Sequence, residues 1–232
     1  MNRNKKILIT GSSKGIGKSV ALNFLSMGYE VIGVARTHSI KNKKYIPFSQ
    51  DMSNLTAFSK TIDEINKKYP NIFAVISNAG AGLFGNLENL SETKIINYYN
   101  LNLLSHIILA KKMIANLKRS KNGIFIFIGS EASKIGGPQG SIYSSAKHGL
   151  FGFVKSFKLE ANKSSVRVTI INPGMVKTSF FNNLKFKPGT HKQNTINPKD
   201  IAEIISFLCA SNKNINYSDI NIDPIKKVIV RK

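Results

Sequence analysis

The run Lys6-Ile7-Leu8-Ile9-Thr10-Gly11-Ser12-Ser13-Lys14-Gly15-Ile16-Gly17 decides the fold. Its apolar stretch is too short for the core of a signal peptide, and it passes through glycines into a helical pattern. A strand that turns into a helix in this way leaves backbone N–H groups free at the helix N-terminus, where the helix dipole favours an anion. Gly11 suits the tight turn, while Gly15 and Gly17 let the backbone approach a pyrophosphate and the helix pack on a sheet. The spacing is Gly-x-x-x-Gly-x-Gly rather than Gly-x-Gly-x-x-Gly.

Outward from that turn, apolar runs alternate with helical patterns along the whole chain. Strands are expected at 6–10, 30–36, 45–50, 72–77, 123–129, 167–172 and 219–223, and helices at 15–27, 53–69, 92–117, 141–162 and 198–210. Such alternation specifies an α/β fold, a parallel sheet with crossover helices. Ser91 and Asn197 are expected N-caps. No repeat, low-complexity tract or Pro/Gly-rich linker interrupts the 232 residues, so one domain over 1–232 is expected. The least regular stretch, 177–197, mixes Phe180, Phe181, Leu184 and Phe186 with lysines.

A second cluster carries chemistry. Tyr143 and Lys147, in Ser141-Ile142-Tyr143-Ser144-Ser145-Ala146-Lys147, stand one helical turn apart on one face. A nearby ammonium favours the phenolate and lowers a tyrosine pKa from its usual ~10, which makes a proton donor usable near neutral pH. Ser130 ends an apolar run thirteen residues upstream of Tyr143.

With these motifs the chain resembles the short-chain dehydrogenase/reductase family in its single-domain form. Thr10 to Gly17 matches that family's cofactor turn, with Gly11, Ser12, Ser13, Lys14, Gly15, Ile16 and Gly17 as its binding residues. Asp51-Met52 is similar to the adenine-contacting pair, and Asn78-Ala79-Gly80 to the sheet-stabilising motif after strand four. Asn102 matches the family's helix asparagine, and Ser130, Tyr143 and Lys147 match its catalytic trio. Pro173-Gly174-Met175-Val176-Lys177-Thr178 matches the nicotinamide-side loop. Ser77 stands where the family usually has a first Asn, and Asp223-Pro224 with a basic tail replaces a glycine-rich ending.

The resemblance implies a Rossmann-type doubly wound sheet of about seven strands in the order 3-2-1-4-5-6-7. It implies hydride transfer between a nicotinamide and a carbonyl/alcohol pair. Tyr143 would give the proton, Lys147 would lower its pKa and bond the nicotinamide ribose, Ser130 would hold the substrate oxygen, and Asn102 would keep a water in the relay. An acid near the end of the second strand would read the adenosine ribose hydroxyls and repel a 2′-phosphate. Arg36 stands there instead, and with Lys14 it points to NADP(H).

The formal charge of +22 raises nucleic acid or an acidic partner, but the lysines are scattered as pairs, so no nucleic-acid face is expected. No apolar stretch approaches the ~20 residues of a membrane span, and the lone Cys209 allows no disulfide, so a cytoplasmic protein is expected. No His, Cys, Asp and Glu cluster has metal-ligand spacing, so no metal is expected. His106, His148 and Glu131 are expected to be packed or surface groups.

An NADPH-dependent carbonyl reductase acting on a small ketone or aldehyde is the first functional expectation. A 3-oxoacyl-thioester reductase served by an acidic acyl carrier protein is the second, with Lys111, Lys112, Lys118, Arg119 and Lys121 as a basic docking rim. A non-catalytic dinucleotide-binding regulator is the third. Helices 92–117 and 141–162 are apolar on more than one face, through Ile107, Ile108, Leu109, Leu150, Phe151, Phe153 and Phe157, so a homodimer or homotetramer is expected through them.

Overall fold

Apolar runs of five to seven residues without polar alternation need cover on both faces. The computed structural model, which describes residues 5–232, provides it; residues 1–4, part of the basic start of the chain, lie outside the described residues. In chain order the strands are β1 (Lys6–Thr10), β2 (Glu30–Ala35), β3 (Tyr45–Ser49), β4 (Ile72–Ser77), β5 (Ile124–Ile128), β6 (Arg167–Pro173), β7 (Phe186–Pro188), β8 (Asp219–Ile222) and β9 (Ile229–Arg231). The helices are α1 (Gly15–Ser26), α2 (Leu55–Lys68), α3 (Glu92–Tyr99), α4 (Ser105–Arg119), α5 (Ser141–Asn162) and α6 (Pro198–Ala210).

Seven strands form one parallel sheet in the order β3-β2-β1-β4-β5-β6-β8. This is the expected Rossmann-type winding, with β8 in the seventh place because the short β7 lies outside the sheet. Side chains alternate across it. Ile7 and Ile9 of β1 pack in the layer of α1 and α6, whereas Leu8 packs in the layer of α2, α4 and α5. Pro47 is tolerated because β3 is an edge strand. Ser91 and Asn197 cap α3 and α6 as their positions predict, accepting from Lys94 N at 3.4 Å and Lys199 N at 3.0 Å. Among the described residues no helix is long and apolar enough to cross a membrane.

Four features depart from expectation. The single helix of 92–117 is instead two, α3 and α4, joined by a π turn over Asn100–Leu104 in which Ser105 N–H donates to Asn100 O. The irregular stretch after β6 and the basic tail pair with each other, as β7 and β9 form an antiparallel ribbon. Much of the surplus apolarity of the two long helices is also spent inside. Leu109, Leu150 and Phe157 are buried, and Phe153 and Phe157 pack on Phe127 of β5 with centroids 6.1 and 6.2 Å away. What remains outward is Ile96, Leu104 and Leu159.

The fourth departure concerns the proposed basic rim. A crossover helix runs against its strands, so α4 ends at the N-terminal edge of the sheet, where Arg119 Nε donates to Pro70 O just ahead of β4. Fifteen residues at 1.5 Å each carry Lys118 and Arg119 about 20 Å from the start of the helix. Lys112 is also engaged, with Asp63 at 2.6 Å. That rim lies at the wrong edge for chemistry at the strand carboxyl ends.

Candidate active site

The turn after β1 is shaped by backbone requirements. Gly15 has φ of +58°, which favours glycine, and a Cβ on Gly17 would collide with Gly11 O. Lys14 occupies the N-cap of α1 in extended conformation and makes no side-chain capping bond, and the first turn holds no acid. The leading N–H groups of α1 thus lack a capping side chain, and they meet Ser13 and Ile16 in a loop fit for a pyrophosphate. Ser12 is buried behind it; its hydroxyl and that of Tyr45 are 2.8 Å apart, and His38 Nδ1 lies 2.7 Å from the same tyrosine oxygen. A Cβ on Gly33 of β2 would strike this Ser12–Tyr45 contact. The network was not anticipated; a lone glycine inside an apolar strand is the signal for it.

The carboxyl ends of β1 and β4 part at the switch in strand order, where an open sheet has its crevice. Asn78 bridges the two, with Nδ2 donating to Thr10 O at 2.9 Å and Gly11 O at 3.3 Å. Thr10 Oγ1 accepts from the N–H groups of Asn78 and Ala79 at 3.0 and 3.2 Å. Gly80 follows, and a Cβ there would come within 3.0 Å of Asn102 Oδ1. At the outer side Arg36, exposed just past β2, is close enough to help lower the Asp51 carboxyl pKa, though hydrogen bonds from Ser53 do more. Met52 is buried beside it. Lys18, one turn after Lys14, donates to Ser39 at 3.0 Å and adds a third cation that motif matching missed. Across the turn, Thr178 approaches Gly15, whose Cβ would lie 3.3 Å from Thr178 Cγ2. Pro173 and Gly174 close β6 against Ile222, and Val176 bridges to Ile196.

Ser130, Tyr143 and Lys147 converge at the end of β5. Ser130 is fixed by its N–H donating to Ser133 Oγ and its Oγ accepting from Ala132 N, each at 3.2 Å. Lys147 is buried and donates to Ile128 O at 3.1 Å. Asn102, in the π turn, is fully buried, with Oδ1 accepting from Ala81 N at 2.9 Å and Nδ2 donating to Tyr98 O at 3.0 Å. His106 is packed, as expected, 2.6 Å from Ser77 Oγ. Ser77, the departure from the family's usual Asn, thus has a partner of its own. Glu131 is not a free loop carboxylate, because Lys227 of the tail meets it at 2.6 Å.

The electrostatics correct one expectation. Burial pushes the Tyr143 phenol up to about 12 and the Glu131 carboxylate adds to the rise, while the Ser130 hydrogen bond pulls it down. The Lys147 ammonium, itself drawn down to about 8 by burial, does not offset that rise. The same desolvation, aided by Lys147, draws the His106 imidazole down to about 3.

Fold and site together define a nucleotide-dependent oxidoreductase that works between CH–OH and C=O groups. A family model described as short chain dehydrogenase matches residues 5–188, and the chain belongs to that family. Its relatives include the 3-oxoacyl-(acyl-carrier-protein) reductase of Buchnera aphidicola subsp. Acyrthosiphon pisum, 34% identical over 78% of this chain and 77% of the relative. The NADP-dependent 3-hydroxy acid dehydrogenase of Schizosaccharomyces pombe is 28% identical over 95% and 92%. Among solved structures, the alcohol dehydrogenase of the archaeon Thermococcus sibiricus complexed with 5-hydroxy-NADP superposes with a TM-score of 0.85 at 26% identity, covering 97% of this chain and 99% of that one.

Proposed function

We propose that this chain is an NADPH-dependent carbonyl reductase with Ser130, Tyr143, Lys147 and Asn102 at its reacting centre. The observation that carries the reading is the convergence of Ser130, Tyr143 and Lys147 at the carboxyl end of β5, beside an uncapped α1 N-terminus. When bound, the dihydronicotinamide supplies a hydride to the carbonyl carbon. Ser130 orients the substrate oxygen, and Tyr143 donates its phenolic proton to that oxygen as charge develops there. Lys147, able to change protonation near pH 8, bonds the cofactor ribose and passes a proton back to the phenolate. Asn102 fixes the π turn where a water re-protonates the relay. Arg36 just past β2, Lys14 at the start of α1 and Lys18 beside Ser39 offer the cations that a 2′-phosphate needs, which supports NADP(H) over NAD(H), and the NADP complexes among similar structures support it too.

The test is NADPH oxidation followed at 340 nm across ketones, aldehydes, keto-sugars and acyl thioesters, with NADH as control. Bound NADPH without oxidation of it by any of these would leave a dinucleotide-binding regulator in place of an enzyme. A 3-oxoacyl-thioester substrate is the second reading, favoured by the names of relatives at 31–34% identity. It predicts that a carrier-bound thioester outperforms a free analogue at low salt and loses that advantage as salt rises.

A further inference from the structure

Five aromatic rings close on one another around the proposed proton donor. Tyr143 meets Phe84 with centroids 4.9 Å apart, Phe84 meets Phe186 at 4.9 Å, and Phe186 meets Phe181 at 5.9 Å. Phe181 meets Phe180 at 5.2 Å, and Phe180 returns to Tyr143 at 6.1 Å. The members come from α5, the β4–α3 loop, the segment after β6, and β7. Phe84 and Phe180 pack with Tyr143 against a small cluster of Leu83, Tyr98 and Ala146, yet all four phenylalanines stay only partly buried, and the two sheet cores are complete without them.

The circuit is also held from outside. Phe186 is paired through the ribbon with Arg231. Lys232 Nζ donates to Phe181 O at 2.6 Å and Asn182 O at 2.9 Å, and its N–H donates to Lys185 O at 2.8 Å. Lys227 ties the same tail to Glu131, next to Ser130. A tail committed to fixing two of the five ring residues, Phe181 and Phe186, argues that their arrangement matters at this mouth.

Resting on the carbonyl-reductase reading, we propose that this ring circuit is the substrate subsite and that it selects carbonyl compounds carrying a flat aromatic or conjugated ring. Edge-on and offset faces of phenylalanine favour a planar π system over a saturated ring of the same size. An aromatic cage also attracts cations, but here Lys177, Lys185, Lys187 and Lys232 flank it, so the occupant is neutral or anionic. The carbonyl of such a substrate reaches Tyr143 while its ring lies among Phe84, Phe180 and Phe186.

Two measurements test this. In the first, NADP⁺-loaded protein is titrated calorimetrically with benzamide and with cyclohexanecarboxamide, neither of which is reduced. Benzamide should bind about tenfold more tightly, and Phe84→Leu or Phe186→Leu should shrink that ratio to about two. Phe186 lies on the outer ribbon, so Phe186→Leu keeps the test alive if Phe84→Leu fails to fold. A wild-type ratio near one, a ratio unchanged in both variants, or tetramethylammonium binding more tightly than benzamide would overturn the subsite.

In the second, kcat/KM is compared for benzaldehyde and cyclohexanecarboxaldehyde. Turnover of both at equal kcat/KM removes the subsite and leaves the reductase standing. Benzamide preference without NADPH oxidation by any carbonyl leaves the subsite and removes the reductase.

Discussion

Replacing Lys147 by methionine should make the protein more stable and inactive. The side chain keeps nearly its volume but loses a buried ammonium whose pKa burial lowers from 10.5 to about 8. A depression of that size corresponds to about 3 kcal/mol of cost at neutral pH. Against this stands the charged hydrogen bond to Ile128 O, worth about 2 kcal/mol. The net gain of about 1 kcal/mol should raise Tm by about 2–4 °C in a chain of this length. The sign of the pH dependence is fixed as well. Below pH 8 the lysine is charged in both folded and unfolded states and the cost is complete. Between pH 8 and 10.5 the folded state releases its proton first, so the wild type gains on the variant as pH rises, until the cost is gone. Tyr143 acts oppositely, losing stability as pH rises, but only above its unfolded value of 10. Burial also raises the Cys209 thiol from 9 to about 12, which costs stability above pH 9, but both proteins carry it, so the gap between them from pH 8 to 10 reports Lys147. Thermal unfolding of both proteins by circular dichroism from pH 6.5 to 10 measures the difference. A variant no more stable than wild type at pH 7, or a gap that fails to narrow by pH 10, would refute the reasoning.

The other predictions concern chemistry, cofactor and assembly. Tyr143→Phe should cut kcat by about a hundredfold or more and leave NADPH affinity nearly intact, which steady-state kinetics and cofactor fluorescence titration separate. Arg36→Asp should shift preference from NADPH toward NADH by roughly 2–4 kcal/mol in kcat/KM, and a smaller shift would assign the remainder to Lys14 and Lys18. A homodimer through α4 and α5 is expected. Light scattering should show it at micromolar concentration, and Leu159→Glu, at a side chain 65% exposed, should weaken it.

How far the sequence could be read depends on how local each signal is. The β1–α1 turn is written in consecutive residues whose φ angles and close contacts demand glycine, so the sequence alone places Gly11, Gly15 and Gly17. Apolar runs buried on both faces gave β4, β5 and β6 for the same reason. The break between α3 and α4 left no such mark, because Asn100-Leu101-Asn102-Leu103-Leu104 fits α and π geometry alike. The β7–β9 ribbon was hidden because Phe186–Pro188 and Ile229–Arg231 are three residues each and meaningless apart. The Tyr143 pKa was misjudged because spacing along a helix reports proximity to Lys147 but not the loss of water around both groups. The basic rim failed on direction: a list of lysines near a helix end does not say which edge of the sheet that end reaches.

The π turn at Asn100–Leu104 sets a counting rule on this part of the chain. Each residue advances a helix by about 100° around its axis. The wider ring between Ser105 and Asn100 absorbs one such step, so that Asn102 lies buried toward Ala81 while Ser105, His106 and Leu109 still face inward on α4. Deleting a single residue there would rotate either α3 or α4 by that angle, carrying Tyr98 away from Ala81 or His106 away from Ser77. Descendants of this sequence are thus free to change the side chains around Asn102 but not the length of the segment, and insertions or deletions between α3 and α4 should be purged even where such substitutions are tolerated.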